Sequence, residues 1–128
     1  MCLFCDILLK REKIIFENDL AFAILDNYPV TKGHALIISK RHFESYFDAS
    51  VAELVAIDDA LKNVKKILDD SIHPDGYNLG VNQGRASGQS VMHLHVHLIP
   101  RSFGDTPNPR GGVRGVFPDK QDYDGSGN

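Results

Sequence analysis

Val91-Met92-His93-Leu94-His95-Val96-His97-Leu98-Ile99 alternates almost perfectly between imidazoles and aliphatic side chains. Strand side chains repeat every second residue on one face, so an extended reading sends His93, His95 and His97 to one side and Met92, Leu94, Val96 and Leu98 toward a core. In a helix His95 would point away from the other two. The stretch therefore reads as a β-strand from Val91 to Ile99. At the usual rise of ~3.3 Å per residue, neighbouring histidines lie about 6.6 Å apart and the outer pair about 13 Å apart. Zinc needs each ring nitrogen within about 2.1 Å, so this row does not give one ion all three ligands. Its length instead matches an extended ligand such as a polyphosphate, along which one ring attacks while its neighbours hydrogen-bond or carry protons. The alternatives are a polar sheet face or a simple metal site.

Working outward, residues 82–90 form a polar, glycine-containing loop, and Tyr77 to Val81 before it can form a strand. A hairpin between the two strands brings that loop to the entrance of the histidine row. There Gly84 and Gly88 permit close backbone approach, and Asn82, Gln89 and Ser90 offer hydrogen bonds to phosphate oxygens. Residues 13–17 and 20–25 read as a hairpin around Asn18-Asp19, and Ala35-Leu36-Ile37-Ile38 as a buried strand opened by His34. Ser50-Val51-Ala52-Glu53 has the spacing of a helix capping box. Leu54, Ile57, Leu61, Val64 and Leu68 then recur at helical steps, opposite Asp58, Lys62, Lys65 and Asp69. Pro74-Asp75-Gly76 closes this helix, leaving His73 as a solvent residue at its end. Strands, one long helix, then strands predict an α+β fold with a mainly antiparallel five-stranded sheet.

A chain of 128 residues fits one domain, placed at residues 1–118, with 119–128 a flexible tail. No apolar stretch approaches the ~20 residues that cross a bilayer, so no membrane association is expected. The opening residues lack the basic leader and cleavage site of a signal peptide, which predicts a cytoplasmic protein. A formal charge of −3 without a dense basic stripe argues against gripping an extended nucleic acid. Arg110 and Arg114 stand among prolines and glycines in a segment that reads as an arm packed on the surface or at a dimer contact; either arginine could also clamp a distal phosphate.

The run Gly88-Gln89-Ser90-Val91-Met92-His93-Leu94-His95-Val96-His97-Leu98-Ile99-Pro100-Arg101 resembles the signature of the histidine triad family, which alternates histidine with hydrophobic residues. Similarity also covers Phe22-Ala23-Ile24-Leu25-Asp26, Thr31-Lys32-Gly33-His34-Ala35-Leu36-Ile37-Ile38 and the pair Cys2, Cys5, so it extends over roughly residues 2–101. The resemblance implies a mononucleotide-binding fold, a homodimer sharing a continuous antiparallel sheet, and cleavage at the α-phosphate of a purine nucleotide. It makes His95 the nucleophile of a nucleotidyl-histidine intermediate that water resolves. His97 and His34 bind phosphate oxygens and manage protons, Gln89, Ser90 and Asn82 complete the phosphate site, and Asp26 accepts hydrogen bonds from ribose hydroxyls. Dinucleoside polyphosphates are the leading expected substrates. Nucleoside phosphoramidates or aminoacyl adenylates use the same residues, and a non-catalytic nucleotide-binding module is the third reading. No organic cofactor is expected.

Cys2-Leu3-Phe4-Cys5 can be a redox pair, half of a zinc site or an accident of the terminus. A thioredoxin-type motif follows a strand, which no residue before Cys2 can supply, so zinc is preferred. Two thiolates need two more ligands for a closed tetrahedral site. His42, just beyond the strand at 35–38, is an eligible third and His93 the fourth. This set resembles zinc-containing bacterial members of the family, implying one structural zinc per chain that ties the amino terminus to the sheet.

Overall fold

The computed structural model describes residues 2–122. Two helices flank one sheet: α1 (Leu3–Lys10) and α2 (Val51–Ile72) against β1 (Ile14–Glu17), β2 (Ala21–Leu25), β3 (Ala35–Ser39), β4 (Gly76–Gly80) and β5 (His95–Arg101). The strands are ordered β1-β2-β3-β5-β4 and every neighbouring pair is antiparallel. This is the expected five-stranded α+β architecture.

Local chemistry places each element. Asn18 turns the β1–β2 hairpin, its Oδ1 accepting the N–H groups of Leu20 (3.2 Å) and Ala21 (2.9 Å). Its amide also donates to the Ala56 carbonyl (2.8 Å), fastening the hairpin to α2. The capping box starts α2 as the sequence predicts: Ser50 Oγ accepts the Glu53 N–H and Glu53 Oε1 accepts the Ser50 N–H. The buried stripe of α2 runs through Ile57, Ala60, Val64 and Leu68, with Leu54 and Leu61 at its margins. His73 ends the helix in the left-handed conformation.

Each sheet face buries a separate cluster. Ala21, Ala23, Ala35, Ile37, Val96 and Leu98 pack with Leu94 under α2. Phe22, Ile24, Leu36 and Ile38 face the other way and meet Phe4 and Ile7 of α1. The sequence reading has no helix at residues 3–10. Only two side chains in these eight residues are buried, too short a record for a helical period to be heard. Gly33 leads into β3 with φ +88°, a left-handed conformation that favours glycine.

Two differences concern the ends. The histidine strand begins at His95 rather than Val91, because β3 stops at Ser39 and the last pair of the ladder is Ile38 with His95. The arm after Ser102 forms short 3-10 turns at Gly112–Val116 and Pro118–Lys120. Gln121 Nε2 donates to the Asn108 and Arg110 carbonyls (2.9 Å each), so described residues on both sides of the expected boundary at 118 join one folded-back segment. Residues 123–128 of the expected flexible tail lie outside the described residues. No helix among those described is long and apolar enough to cross a membrane.

Glu53 does more than cap. Its buried carboxylate also takes a two-pronged hydrogen bond from Arg41, Nε to Oε2 (2.9 Å) and NH2 to Oε1 (2.8 Å). That guanidinium, followed by the Ser50 contacts, lowers the Glu53 pKa to about 2 against the opposing effect of burial. The lowered carboxylate stabilises the fold fully above its ordinary value near 4.5, and the contribution is lost as pH falls toward 2. Glu53→Gln is expected to cost about 1–3 kcal/mol at pH 7, less than a fully buried pair because Arg41 is half exposed. Urea unfolding at pH 7 and pH 3 checks this, since the difference between mutant and wild type should shrink at the lower pH.

Candidate functional site

Acceptor-only groups around the histidines decide which ring nitrogen carries each proton. The Ser39 carbonyl lies 2.6 Å from His93 Nε2, so that nitrogen donates and the lone pair of the neutral ring sits on Nδ1. Burial, the first cause, pushes the His93 pKa down and favours this neutral form. Around His93 Nδ1 stand Cys2 Sγ (3.2 Å), Cys5 Sγ (3.5 Å) and His42 Nδ1 (3.1 Å), all from distant parts of the chain. Cys5 Sγ is 3.1 Å from Cys2 Sγ and 3.3 Å from His42 Nδ1, and all four ligand atoms lie within 4.8 Å of one another. Zinc–ligand bonds of ~2.0–2.3 Å give tetrahedral edges of about 3.3–3.8 Å, and five of the six separations among the four atoms, at 3.1–3.5 Å, are close to that range. Two sulfurs and two imidazole nitrogens, with the Ser39 carbonyl orienting the His93 ring, suit zinc. The four predicted ligands are therefore assembled into a possible metal site. His93 can join because it lies just beyond the ladder.

His95 has the opposite arrangement. Its Nδ1 donates to the His93 carbonyl (2.8 Å), leaving Nε2 of the neutral ring with the lone pair. Phe4 packs edge-on against this ring at 5.0 Å between centroids. Farther along β5, the Val30 N–H donates to His34 Nδ1 (3.2 Å), so His34 Nε2 is protonated and donates to His97 Nδ1 (2.9 Å). His97 is thereby left with a protonated Nε2. Burial lowers the pKa of both His34 and His97, and nearby His95 and His34 add to the effect on His97. Asp26 partly opposes it, with Oδ2 3.6 Å from His34 Nε2. Asp26, His34 and His97 also group closely enough for a metal. Yet ligation through His34 Nε2 would require breaking the Val30 hydrogen bond, and the observed arrangement is a proton chain.

His95 and His97 border a cavity of about 320 Å³. Its apolar wall combines Leu3, Phe4 and Ile7 of α1 with Ile24, Leu36 and Val91. Its polar rim holds Asp26, Asn27, Asn82, Ser90, His95 and His97. Of the residues predicted from the sequence, Asp26, Asn82, Ser90, His95 and His97 line this space, while His34 stands behind His97. Gln89 is different: its buried side chain accepts the Gly84 N–H (2.8 Å) and donates to the Glu44 (3.2 Å) and Val91 (3.3 Å) carbonyls, so it braces the loop from within. Arg114, considered as a phosphate clamp, donates to the Gln121 (3.2 Å) and Lys120 (2.9 Å) carbonyls. The apolar wall was missed by sequence reasoning. Its signal was the second face of β2 and β3, where Ile24 and Leu36 are register partners that do not face α2.

His34 and His97 also predict an acid-side stability loss. A histidine with a lowered folded pKa contributes stability that is complete above the ordinary imidazole value near 6.5 and is lost as pH falls through the folded value. Melting temperature should therefore begin to fall below about pH 6.5, before Glu53 titrates. His34→Gln should flatten this first descent in a thermal melt series from pH 8 to 5.

Comparison with known proteins agrees with this geometry. The model of the HIT domain matches residues 9–104. An uncharacterized HIT-like protein of Methanocaldococcus jannaschii is 38% identical over 109 residues, covering 82% of each chain. An adenylylsulfatase of Arabidopsis thaliana is 32% identical over 81% of this chain and 54% of its own length, and a bis(5'-adenosyl)-triphosphatase of Dictyostelium discoideum 29% identical over 79% and 68%. A zinc-bound histidine triad family protein of Mycobacterium smegmatis superposes with a TM-score of 0.75 at 31% identity, over 84% of this chain and 79% of that one. With a family match spanning most of its length and a sheet that carries the triad, this chain belongs to the histidine triad (HIT) family, a nucleotide-binding family that includes hydrolases.

Proposed function

We infer that the protein is a nucleotide hydrolase that passes a nucleoside monophosphoryl group through His95. The observation that carries this reading is the His95 tautomer: a carbonyl holds Nδ1–H and leaves the nucleophilic Nε2 lone pair on a ring bordering a nucleoside-sized cavity. A non-catalytic binder has no need of that orientation. The base packs between the α1 side chains and the Ile24–Leu36 face, Asp26 accepts from the ribose hydroxyls, and Ser90 and Asn82 donate to the α-phosphate. His97 Nε2–H donates to phosphate or leaving-group oxygen. His34 acts through His97, and Gln89 holds the loop that presents Ser90.

Dinucleoside polyphosphates, phosphoramidates and adenylates all carry the α-phosphate this chemistry needs. The Dictyostelium triphosphatase and the Arabidopsis adenylylsulfatase support conjugates of this kind. A chromatographic screen across these classes tests the reading, together with an alkaline denaturing quench of a single turnover to look for nucleotidylated protein, since a phosphorus–imidazole bond survives base and not acid. Nucleoside monophosphate release through an acid-labile adduct is expected; no release from any class would refute it.

Cys2, Cys5, His42 and His93 hold one zinc per chain, which supplies no reacting group and ties α1 to the sheet. The cytoplasm, where thiols stay reduced, suits this pair of cysteines. The chain works as a homodimer whose sheet continues across β4. In support, β4 is an edge strand and its Leu79 is exposed. Light scattering after gel filtration should therefore give about twice the chain mass of 14.2 kDa, and a monomer mass at micromolar concentration would exclude it.

A further inference from the structure

Cys2 and Cys5 are the only cysteines of the chain. Cys2 caps α1 in the extended conformation (φ −78°, ψ 164°), and Cys5 follows within the first turn, its N–H donating to Cys2 Sγ (3.3 Å). Residues three apart at the start of a helix have Cα atoms about 5 Å apart, inside the range that a disulfide spans. The two sulfurs already touch, at 3.1 Å, so a bond between them needs only side-chain rotation within one turn. Both cysteines are partly exposed. Of the two imidazoles beside them His93 is fully buried and His42 exposed, so a small reagent reaches the sulfurs from the His42 side.

The two sulfurs serve the fold differently apart and joined. Apart, they fasten α1 to His42, which follows β3, and to His93, which precedes β5. Joined, each sulfur is spent on the other, the bond lies wholly within the start of α1, and no thiolate is left to bind a metal. The helix then keeps Phe4 and Ile7 as its only buried side chains. Leu3, Phe4 and Ile7 wall the cavity bordered by His95 and His97, so the state of the sulfurs bears on nucleotide binding. The converse holds too: a nucleotide that binds better to the fastened helix must favour the separate sulfurs by the same factor.

We propose that Cys2 and Cys5 are a site of reversible modification: a low-molecular-weight disulfide oxidises them to a disulfide with each other, which dissolves the metal site, releases α1 and weakens nucleotide binding. The inference rests on the metal reading above and adds a second use for the same sulfurs. One cysteine sulfur attacks a sulfur of the reagent, forming a mixed disulfide while the other half of the reagent leaves with the electron pair. The second cysteine attacks the first, and the remaining half leaves in the same way. Two cysteines are oxidised and one external disulfide is reduced to two thiols. The protons on those thiols come from the cysteines or, where these are metal ligands, from water. An excess of thiol reverses both steps.

The test equilibrates the reduced, zinc-loaded full chain in glutathione buffers of rising oxidised fraction. Mass spectrometry of the denatured chain should show the loss of two hydrogens, and a chromophoric chelator should detect one zinc released for each disulfide formed. Dithiothreitol with added zinc should restore the starting protein. Calorimetry should find adenosine monophosphate bound about tenfold more weakly by the oxidised chain, the scale of a displaced apolar wall. With free zinc held fixed, saturating adenosine monophosphate should make half-oxidation require a buffer more oxidising by the same factor. Cys2→Ser and Cys5→Ser should each stop at a mixed disulfide with glutathione, which identifies the wild-type product as the internal bond. Zinc retained with both thiols free in fully oxidised glutathione, or a disulfide that leaves nucleotide affinity unchanged, overturns the proposal and spares the metal site. A reduced chain that takes up no zinc overturns both.

Discussion

His95→Ala is expected to lower turnover by at least about 10⁴-fold, the scale for removing a covalent nucleophile, while nucleoside monophosphate binding changes only a few-fold. The asymmetry follows from what the ring touches. In the proposed binding mode base and ribose are held by α1, Ile24, Leu36 and Asp26, where His95 contributes only the ring against which Phe4 packs. The reaction depends on its Nε2 lone pair, aimed by the hydrogen bond to the His93 carbonyl. His97→Ala is expected to cost less, about 10²- to 10⁴-fold, because proton transfer can fall back on water. Nucleotide titration by calorimetry and single-turnover kinetics separate binding from chemistry. Turnover by His95→Ala within tenfold of wild type would place the nucleophile elsewhere.

Loss of the metal proposed at Cys2, Cys5, His42 and His93 is the second large effect expected. Stripping it with a strong chelator, or replacing Cys2 or Cys5 by serine, should lower the melting temperature by about 10 °C, corresponding to roughly 2–4 kcal/mol in a domain of this size. The fold itself should remain, because the sheet and α2 have their own core. The element released is α1, which buries only Phe4 and Ile7 and is otherwise fastened through Cys2 and Cys5. Burial also pushes the Cys5 thiol pKa up, with Cys2 adding to the rise, so metal binding must displace its proton and affinity should weaken as pH falls. Elemental analysis should find one zinc per chain. Since α1 supplies Leu3, Phe4 and Ile7 to the nucleoside cavity, the stripped protein should also bind nucleotide more weakly. A preparation without metal, whose melting temperature a chelator leaves unchanged, would count against the site.

The readable features in the sequence were periodic or local. Alternation from Leu94 to Leu98 put aliphatic residues under α2 and imidazoles on the opposite face because strand geometry leaves no other choice. The capping box announced α2 because its hydrogen bonds span three residues. The β1–β2 hairpin was signalled by Asn18, whose side chain makes the turn itself. Family resemblance supplied the site residues, and most of them do assemble around one cavity.

Their division of labour was a matter of tertiary structure. Three histidines with the same local pattern differ because the Ser39 carbonyl accepts from Nε2 of His93, the His93 carbonyl accepts from Nδ1 of His95, and Val30, through His34, sets the proton on His97. Cys2 and His93 meet across 91 residues, a distance over which no spacing rule operates. Gln89 turned inward, α1 formed a cavity wall and the glycine-rich arm folded over β4 for the same reason: each depends on partners brought together by packing. The sequence alone determined the sheet, the long helix and a common face for the reactive rings, since backbone periodicity dictates those. Only the folded chain decided which ring nitrogen carries each proton, how closely the four ligand atoms converge and what lines the neighbouring cavity, since proton positions, ligand geometry and apolar walls arise from contacts between distant segments.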